Sequence, residues 1–127
     1  MIDTLNIGKY IYNTLNDADT ITCNVYPLIA DNDAKFPFIL YKRVNLISDA
    51  NKDGTNEDAV TVEISVVTDK YSVGIDLASK VRNLLEKQCT LYQGIEINDT
   101  RLVYANEEYN NAFVQRLQFE MKINRLN

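Results

Sequence analysis

Two segments of the sequence alternate apolar and polar side chains strictly, one over residues 60–66 and the other over 117–123. Successive side chains of a strand point to opposite faces, so this period of two predicts extended strands with one face in a core. The inward-facing sets are Val60, Val62, Ile64 and Val66, and Leu117, Phe119, Met121 and Ile123. A sheet with one apolar face must be covered by a second layer, which limits the fold to a few two-layer architectures.

Two segments with helical periodicity can supply that layer. The first covers 3–16, where Asp3 is a good N-cap and Ile7, Ile11 and Leu15 recur at every fourth position. The second covers about 70–88, with Asp69 as its predicted cap. Its predicted apolar stripe consists of Tyr71, Gly74, Leu77, Ala78, Val81, Leu84 and Leu85.

Shorter apolar runs predict the other strands, at 21–27, 36–44, 95–97 and 101–108. The segment 45–58 is the longest polar stretch and predicts a loop, and Asn110-Asn111 predicts a hairpin turn before a last strand over 112–124. Pro37 cannot donate a ladder hydrogen bond, so its strand end lies at a sheet edge or at a strand start. We therefore predict one α+β domain over 1–127, in the order α-β-β-β-α-β-β-β, with a mainly antiparallel sheet and two helices packed on one face.

The composition argues against several functions. The 127 residues include no histidine, which removes the commonest general base and zinc ligand, and no nucleophile motif or phosphate-binding glycine loop is present. The net charge is −5 and the longest basic run is Lys42-Arg43, which argues against binding to nucleic acid or to an anionic membrane. No apolar stretch is long enough to span a bilayer. We expect no catalysis and no cofactor.

One local motif suggests a metal ion. Residues 49–54 match the opening of an EF-hand calcium loop, in which Asp49, Asn51 and Asp53 would supply oxygen ligands and Gly54 would permit the sharp turn. The twelfth position, which should be a bidentate glutamate, is Val60, and the flanking segments are predicted strands rather than helices. We expect a solvated hairpin loop here, with a weak opportunistic cation site as the alternative.

The order of several segments resembles that of small tail-completion proteins of long-tailed bacteriophages. The resemblance covers roughly residues 34–124 and begins with Ala34-Lys35-Phe36-Pro37-Phe38-Ile39 and Tyr41. It continues through the alternating 60–67 strand, Asp69-Lys70-Tyr71, and the helical positions Ala78, Val81-Arg82 and Leu84-Leu85-Glu86. It closes with the run from Glu107 to Phe119. This pattern is similar to the tail terminator, or tail-to-head joining, family.

The resemblance implies a virion structural protein of the tail or neck, assembled in the host cytoplasm. Such proteins form a ring, usually a hexamer, that caps the tail tube protein, stops tube growth and meets the head-tail connector. The alternatives are another neck or tail-tube ring component and, from a different class, a small intracellular calcium-binding module.

Charge patterning suggests how subunits of such a ring recognise each other. The 46–58 segment carries four acidic residues against Lys52, whereas the last strand region carries three basic residues against Glu120. We expect the acidic segment of one subunit to face the basic strand of the next, because complementary charge sets register and partner choice. The candidate interface residues are Asp49, Lys52, Asp53, Glu57, Asp58, Arg116, Lys122 and Arg125.

Overall fold

A computed structural model describes residues 2–50 and 56–125 of the chain. A 3-10 turn at Thr4–Asn6 precedes two helices, α1 (Ile7–Asn16) and α2 (Tyr71–Leu85). The strands are β1 (Asn24–Pro27), β2 (Phe38–Ala50), β3 (Asn56–Thr68), β4 (Lys87–Tyr92), β5 (Ile95–Tyr109) and β6 (Phe113–Arg125). This confirms the predicted α+β class and element order.

The six strands form one sheet in the order β1-β2-β3-β6-β5-β4. All neighbouring pairs are antiparallel except β1 and β2, which are parallel. The alternating residues of β3 and β6 lie directly opposite one another, as in the pairs Val62–Phe119 and Ile64–Leu117. Both sets are buried, as the alternation predicts.

Both helices contribute to the core on that same sheet face. From α1 come Ile7, Ile11 and Leu15, and from α2 come Leu77, Ala78, Val81 and Leu85. Asp3 accepts a hydrogen bond from the Leu5 amide at 2.8 Å, so the predicted N-cap is confirmed, although the first turn that it caps is a 3-10 turn. We call the sheet face that packs on the helices the helix face, and the other the bare face.

The prediction of a loop over 45–58 is wrong for most of its length. β2 continues to Ala50 and β3 begins at Asn56, with the pairs Leu46–Val60 and Ser48–Asp58 in the ladder. Polar side chains are tolerated here because a strand is held by its backbone hydrogen bonds, and one side of β2 is an open edge along this stretch.

The region between α2 and β6 also differs from the prediction. The helix ends at Leu85 because Glu86 is already extended, and the unpredicted β4 follows at once. The short strands at 95–97 and 101–108 are one strand, β5, with a register shift between Asn98 and Arg101, where Asp99 has φ 48°. A polar Asn-Asp-Thr run therefore marks a bulge within the strand rather than a break.

Three local features, namely the start of α2, Pro37 and the β5–β6 turn, agree only in part with the prediction. Lys70, not Asp69, is the N-cap residue of α2, and its side chain makes no capping hydrogen bond. Pro37 lies just before β2, which confirms a strand start. Asn111 has φ 58°, as the turn prediction requires, but the connection from Tyr109 to Phe113 has three residues instead of two.

Candidate assembly surface

Each outer strand of the sheet covers only part of its neighbour. β1 pairs with β2 only over Phe38–Tyr41, and β4 pairs with β5 only over Ile95–Thr100. Within residues 2–50 and 56–125, no strand pairs with the outer side of Val44–Ser48 or of Val103–Tyr109. We call these segments the β2 open edge and the β5 open edge.

Both open edges are exposed. Every residue from Val103 to Tyr109 is exposed, and Tyr109 is 67% accessible. On the β2 open edge, Ile47 is 63% accessible and Val44 is 43% accessible. Unpaired backbone groups beside exposed apolar side chains are typical of a site where another strand adds to a sheet.

Near the β5–β6 hairpin, the β5 open edge is hydrogen-bonded to the first residue of α2. The Tyr71 hydroxyl donates to Glu107 Oε2 at 2.8 Å, and Gln115 Nε2 donates to the same oxygen at 2.7 Å. The Gln115 and Tyr71 hydrogen bonds lower the pKa of Glu107, and the Glu107 carboxylate in turn raises the pKa of Tyr71. Phe113 meets Tyr71 and Tyr109 edge-on or tilted, at centroid distances of 5.8 and 4.8 Å. These residues line a shallow groove of about 270 Å³.

Glu86, the residue that follows α2, binds β5 at Leu102, just before the β5 open edge begins. Its Oε2 accepts the Leu102 backbone N–H at 2.9 Å, and its Oε1 accepts Arg82 Nε at 2.7 Å. These two hydrogen bonds, the backbone one first, lower the pKa of Glu86. The Leu102 N–H points away from β6, so this carboxylate satisfies an edge donor that β4 does not reach.

Two of the candidate interface residues, Asp58 and Arg125, are already paired within the subunit. The Asp58 side chain lies on the helix face and is buried, and its Oδ2 lies 3.8 Å from Arg125 Nε. Arg125 is at the end of β6, diagonal to Asp58 across the sheet. Glu57 is the neighbouring residue on β3, so its side chain points to the bare face.

Arg116 and Lys122 point to the bare face, as predicted. Arg116 forms an ion pair with Glu108, two strand positions diagonal across the β5–β6 ladder. Lys122 is exposed and lines a groove of about 400 Å³ together with Lys87, Arg101 and Glu120. The structure thus leaves Lys122 accessible to a neighbour but engages Arg116 within the chain.

The remaining candidates lie at or outside the limit of the described residues. Asn51, Lys52 and Asp53 belong to the segment 51–55 that the structure does not describe, and Asp49 is described only as part of the β2 backbone. The flanks of this segment are strands, as predicted. In the described part of the chain, no group of three or more His, Cys, Asp or Glu side chains is placed to hold a metal ion.

The bare face carries several cross-strand ion pairs that were not predicted from the sequence. Lys42 Nζ lies 3.4 Å from Glu63, whose Oε1 accepts Gln118 Nε2 at 3.3 Å. Farther along, Arg101 lies 3.6 Å from Glu120. Cross-strand register brings these residues together, and the register is not evident from any one segment.

No described helix is long and apolar enough to cross a membrane.

Comparison with known proteins identifies a shared fold. No family model and no curated protein matches the chain. Among solved structures, the chain is similar to a chain of the "Virion of native gene transfer agent (GTA) particle", with a TM-score of 0.74 and 15% identity. The match covers 90% of this chain and 91% of the other. The two chains therefore share one fold over nearly their whole lengths.

Proposed function

We propose that this chain is a structural protein of a phage-like virion and that it acts as a tail terminator. Copies would form a ring, six in number, that caps the end of the tail tube, stops its growth and meets the head-tail connector. The observation that supports this most is the fold likeness to a chain of a gene transfer agent virion over 90% of the length. The resemblance of the sequence to tail terminators supports the finer assignment.

The surface chemistry supports assembly rather than catalysis. The two open edges are backbone surfaces that accept strands, and the bare face presents paired charges rather than a concave apolar site. The groove that contains Lys122 is lined by charged and polar side chains. Such features are suited to many weak contacts repeated around a ring.

The acidic 46–58 segment remains our proposed recognition element, facing the last strand of the next subunit. Because Asp58, Arg125 and Arg116 already have partners within the chain, we assign the contact to Asp49, Asp53 and Glu57 of the segment and to Lys122 of the last strand. Exposed charge pairs contribute only about 0.2–1 kcal/mol each, so register rather than affinity is what they would set.

Cryo-electron microscopy of the virion that carries this chain tests the proposal. We expect six copies in one ring between the end of the tail tube and the head connector. Copies stacked along the tube would reassign the chain as a tube component, and a single copy at the neck would contradict a ring. Negative-stain imaging of the purified chain separates the first two outcomes: discrete rings indicate a terminator, and stacked tubes indicate a tube protein.

A further inference from the structure

We propose that the β5 open edge of one copy pairs, antiparallel, with the β2 open edge of the next copy, so that the sheet continues from subunit to subunit. The inference deepens the proposed function, since it names the contact by which the ring would close. It is carried by the directions of the unpaired backbone groups, which can be worked out for both edges.

On β5 the hairpin sets these directions. The Asn110 amide donates to the Ala112 carbonyl at 3.0 Å, which makes that pair a hydrogen-bonded one. Hydrogen-bonded and non-hydrogen-bonded pairs alternate along an antiparallel ladder, so Tyr109, Glu107 and Ala105 turn their N–H and C=O groups away from β6. The Leu102 N–H also points away from β6, since it donates to Glu86. The extra residue at the register shift between Leu102 and Tyr104 makes this direction consistent with the outward direction of Ala105.

On β2 the neighbouring strand sets them. The Leu28 amide donates to the Tyr41 carbonyl at 2.9 Å, so Tyr41 turns its backbone groups away from β3. Because the direction alternates along a strand, the backbone groups of Arg43 also point away from β3. The register shift between Arg43 and Asn45 inserts one residue, so beyond it the residues that point away from β3 are Leu46 and Ser48. Leu46 and Ser48 therefore offer donors and acceptors on the open side.

The outward groups of the two edges belong to residues on the same sheet face. Glu107 lies opposite the buried Gln115, and Leu46 lies opposite the buried Val60, so both are on the helix face. Directly opposed residues of a sheet share a face, so pairing these edges keeps the helices of both copies on one side. A shift of one residue on either edge would place the helices of successive copies on opposite sides.

Strand direction and position also agree with this pairing. Three antiparallel steps separate β2 from β5, so β5 runs opposite to β2 and would meet the next copy's β2 antiparallel. The open edges lie at opposite ends of the sheet, one beside the β2–β3 connection and one beside the β5–β6 hairpin. Their pairing requires a stagger along the strands, which is the relation that tilted strands need in order to close a barrel.

A second copy fits the β5 open edge better through its β2 than through its own β5. Two β5 edges paired about Glu107 would bring two Glu107 carboxylates opposite each other, and like charges in that position are destabilising. The other outer strand, β1, is a poor partner because Pro27 has no N–H and its carbonyl already accepts the Ile29 amide at 2.6 Å.

A proline on the outward register tests the pairing. The Ala105→Pro variant removes an N–H that β6 does not use, so the subunit keeps its own ladder while the neighbour loses a hydrogen bond. Ala105→Val changes the side chain and keeps the N–H, which makes it the matched control. We expect the proline variant to weaken self-association at least tenfold in sedimentation velocity across a concentration series, and valine to leave it unchanged. If the Ala105→Pro variant has the circular dichroism spectrum of the wild type and associates as tightly as the wild type, the inference is overturned.

Cysteine trapping covers the case in which free subunits associate only transiently. In a background without the native Cys23 and Cys89 thiols, Ile47→Cys is combined with one of three changes at the bare-face positions that can oppose it: Tyr104→Cys, Asn106→Cys or Glu108→Cys. One of the three pairs should give an intermolecular disulfide ladder under mild oxidation, because opposed Cβ atoms lie within disulfide range. Ile47→Cys with Asp76→Cys, an exposed position on α2 that lies on the other side of the sheet, is the control. No ladder above this control in any pair would refute the pairing.

The two levels of the proposal fail in different ways. Rings that form equally well with Ala105→Pro, and that sit at the head of the tail, would leave the function standing and remove the edge contact. If the chain forms multimers through this edge contact but is absent from the virion, the edge contact stands and the proposed function is removed.

Discussion

Tyr71, the first residue of α2, donates its phenolic hydrogen to the Glu107 carboxylate on the open edge of β5, with 2.8 Å between the two oxygens. Gln115 on β6 donates to the same oxygen at 2.7 Å. A helix start, an edge strand and an inner strand are thus tied together at one carboxylate, which fixes the part of the edge that no strand covers.

This carboxylate should titrate below the usual range of a glutamate. Both donors favour its charged form, so Gln115→Leu and Tyr71→Phe should each raise the Glu107 pKa, and the glutamine change should raise it more. Carboxyl carbon shifts followed by NMR against pH measure this. Its folded-state pKa is lowered, so its contribution to stability is present above the unfolded pKa and is lost as pH falls through the folded value.

The reciprocal effect should be visible on the tyrosine. The charged Glu107 raises the Tyr71 pKa, so Glu107→Gln should lower it toward the value of an ordinary tyrosine. Difference absorbance near the tyrosinate band, with Tyr71→Phe as the reference that removes this titration, assigns the transition. An unchanged Tyr71 titration in the Glu107→Gln variant would mean that the hydrogen bond does not persist in solution.

Glu86 links the end of α2 to the bulge in β5, and its removal should cost stability. Glu86→Ala leaves the Leu102 N–H without this acceptor and should lower the free energy of unfolding by about 1 kcal/mol at pH 7. Because the folded-state pKa of Glu86 is lowered, this contribution is present above the unfolded pKa and is lost as pH falls through the folded value. Urea unfolding over a pH series that starts at pH 7 should therefore show the stabilities of the two proteins converging in acid.

Gly74 is required where α2 crosses the end of β3. A Cβ at this position would lie 2.9 Å from Thr68 Oγ1, and that buried hydroxyl already donates to the Lys70 carbonyl at 2.8 Å. Gly74→Ala should therefore destabilise the protein by about 1 kcal/mol or more, because overpacking outweighs the gain in helix propensity. Gly8→Ala in α1 is the matched control: its Cβ would meet only the ring of Tyr41, at 3.0 Å, which can turn aside. Thermal unfolding should show Gly8→Ala unchanged or slightly more stable.

The strands that could be predicted from the sequence are those in which burial of one face imposes an alternation of apolar and polar residues. Val60–Val66 and Leu117–Ile123 are buried on one side only, so their alternation reports both the strand and its inward face. β4 carries no such signal because Cys89 and Leu91 on one face and Gln88 on the other are all exposed. A strand held by backbone pairing alone leaves no pattern in its side chains.

The candidate surface could be predicted only in part for the same reason. The backbone groups at Ala105 and Leu46 are the same for every residue type, so no sequence pattern marks an open edge; only the lengths of β1 and β4 relative to their neighbours create it. The charge of the 46–58 segment is evident from the sequence, yet Asp58 lies on the buried side because it shares the face of Val60. Local charge does not reveal which face a residue occupies when the segment is taken for a loop.

The Asp58–Arg125 pair should be asymmetric in its effect on stability. Asp58 is 3% accessible, and within residues 2–50 and 56–125 neither its Oδ1 nor Arg125 Nε has a hydrogen-bond partner. Arg125→Met leaves a buried carboxylate without its counter-charge and should cost about 3 kcal/mol in urea unfolding at pH 7. Asp58→Val should cost less, because the arginine side chain is one-third accessible and can turn to water, while valine suits a buried strand position. The double variant should recover most of the loss of Arg125→Met, since an apolar pair of similar shape can replace a buried ion pair at little cost. Equal losses in the two single variants would instead indicate that Asp58 is solvated or is paired with a residue other than Arg125.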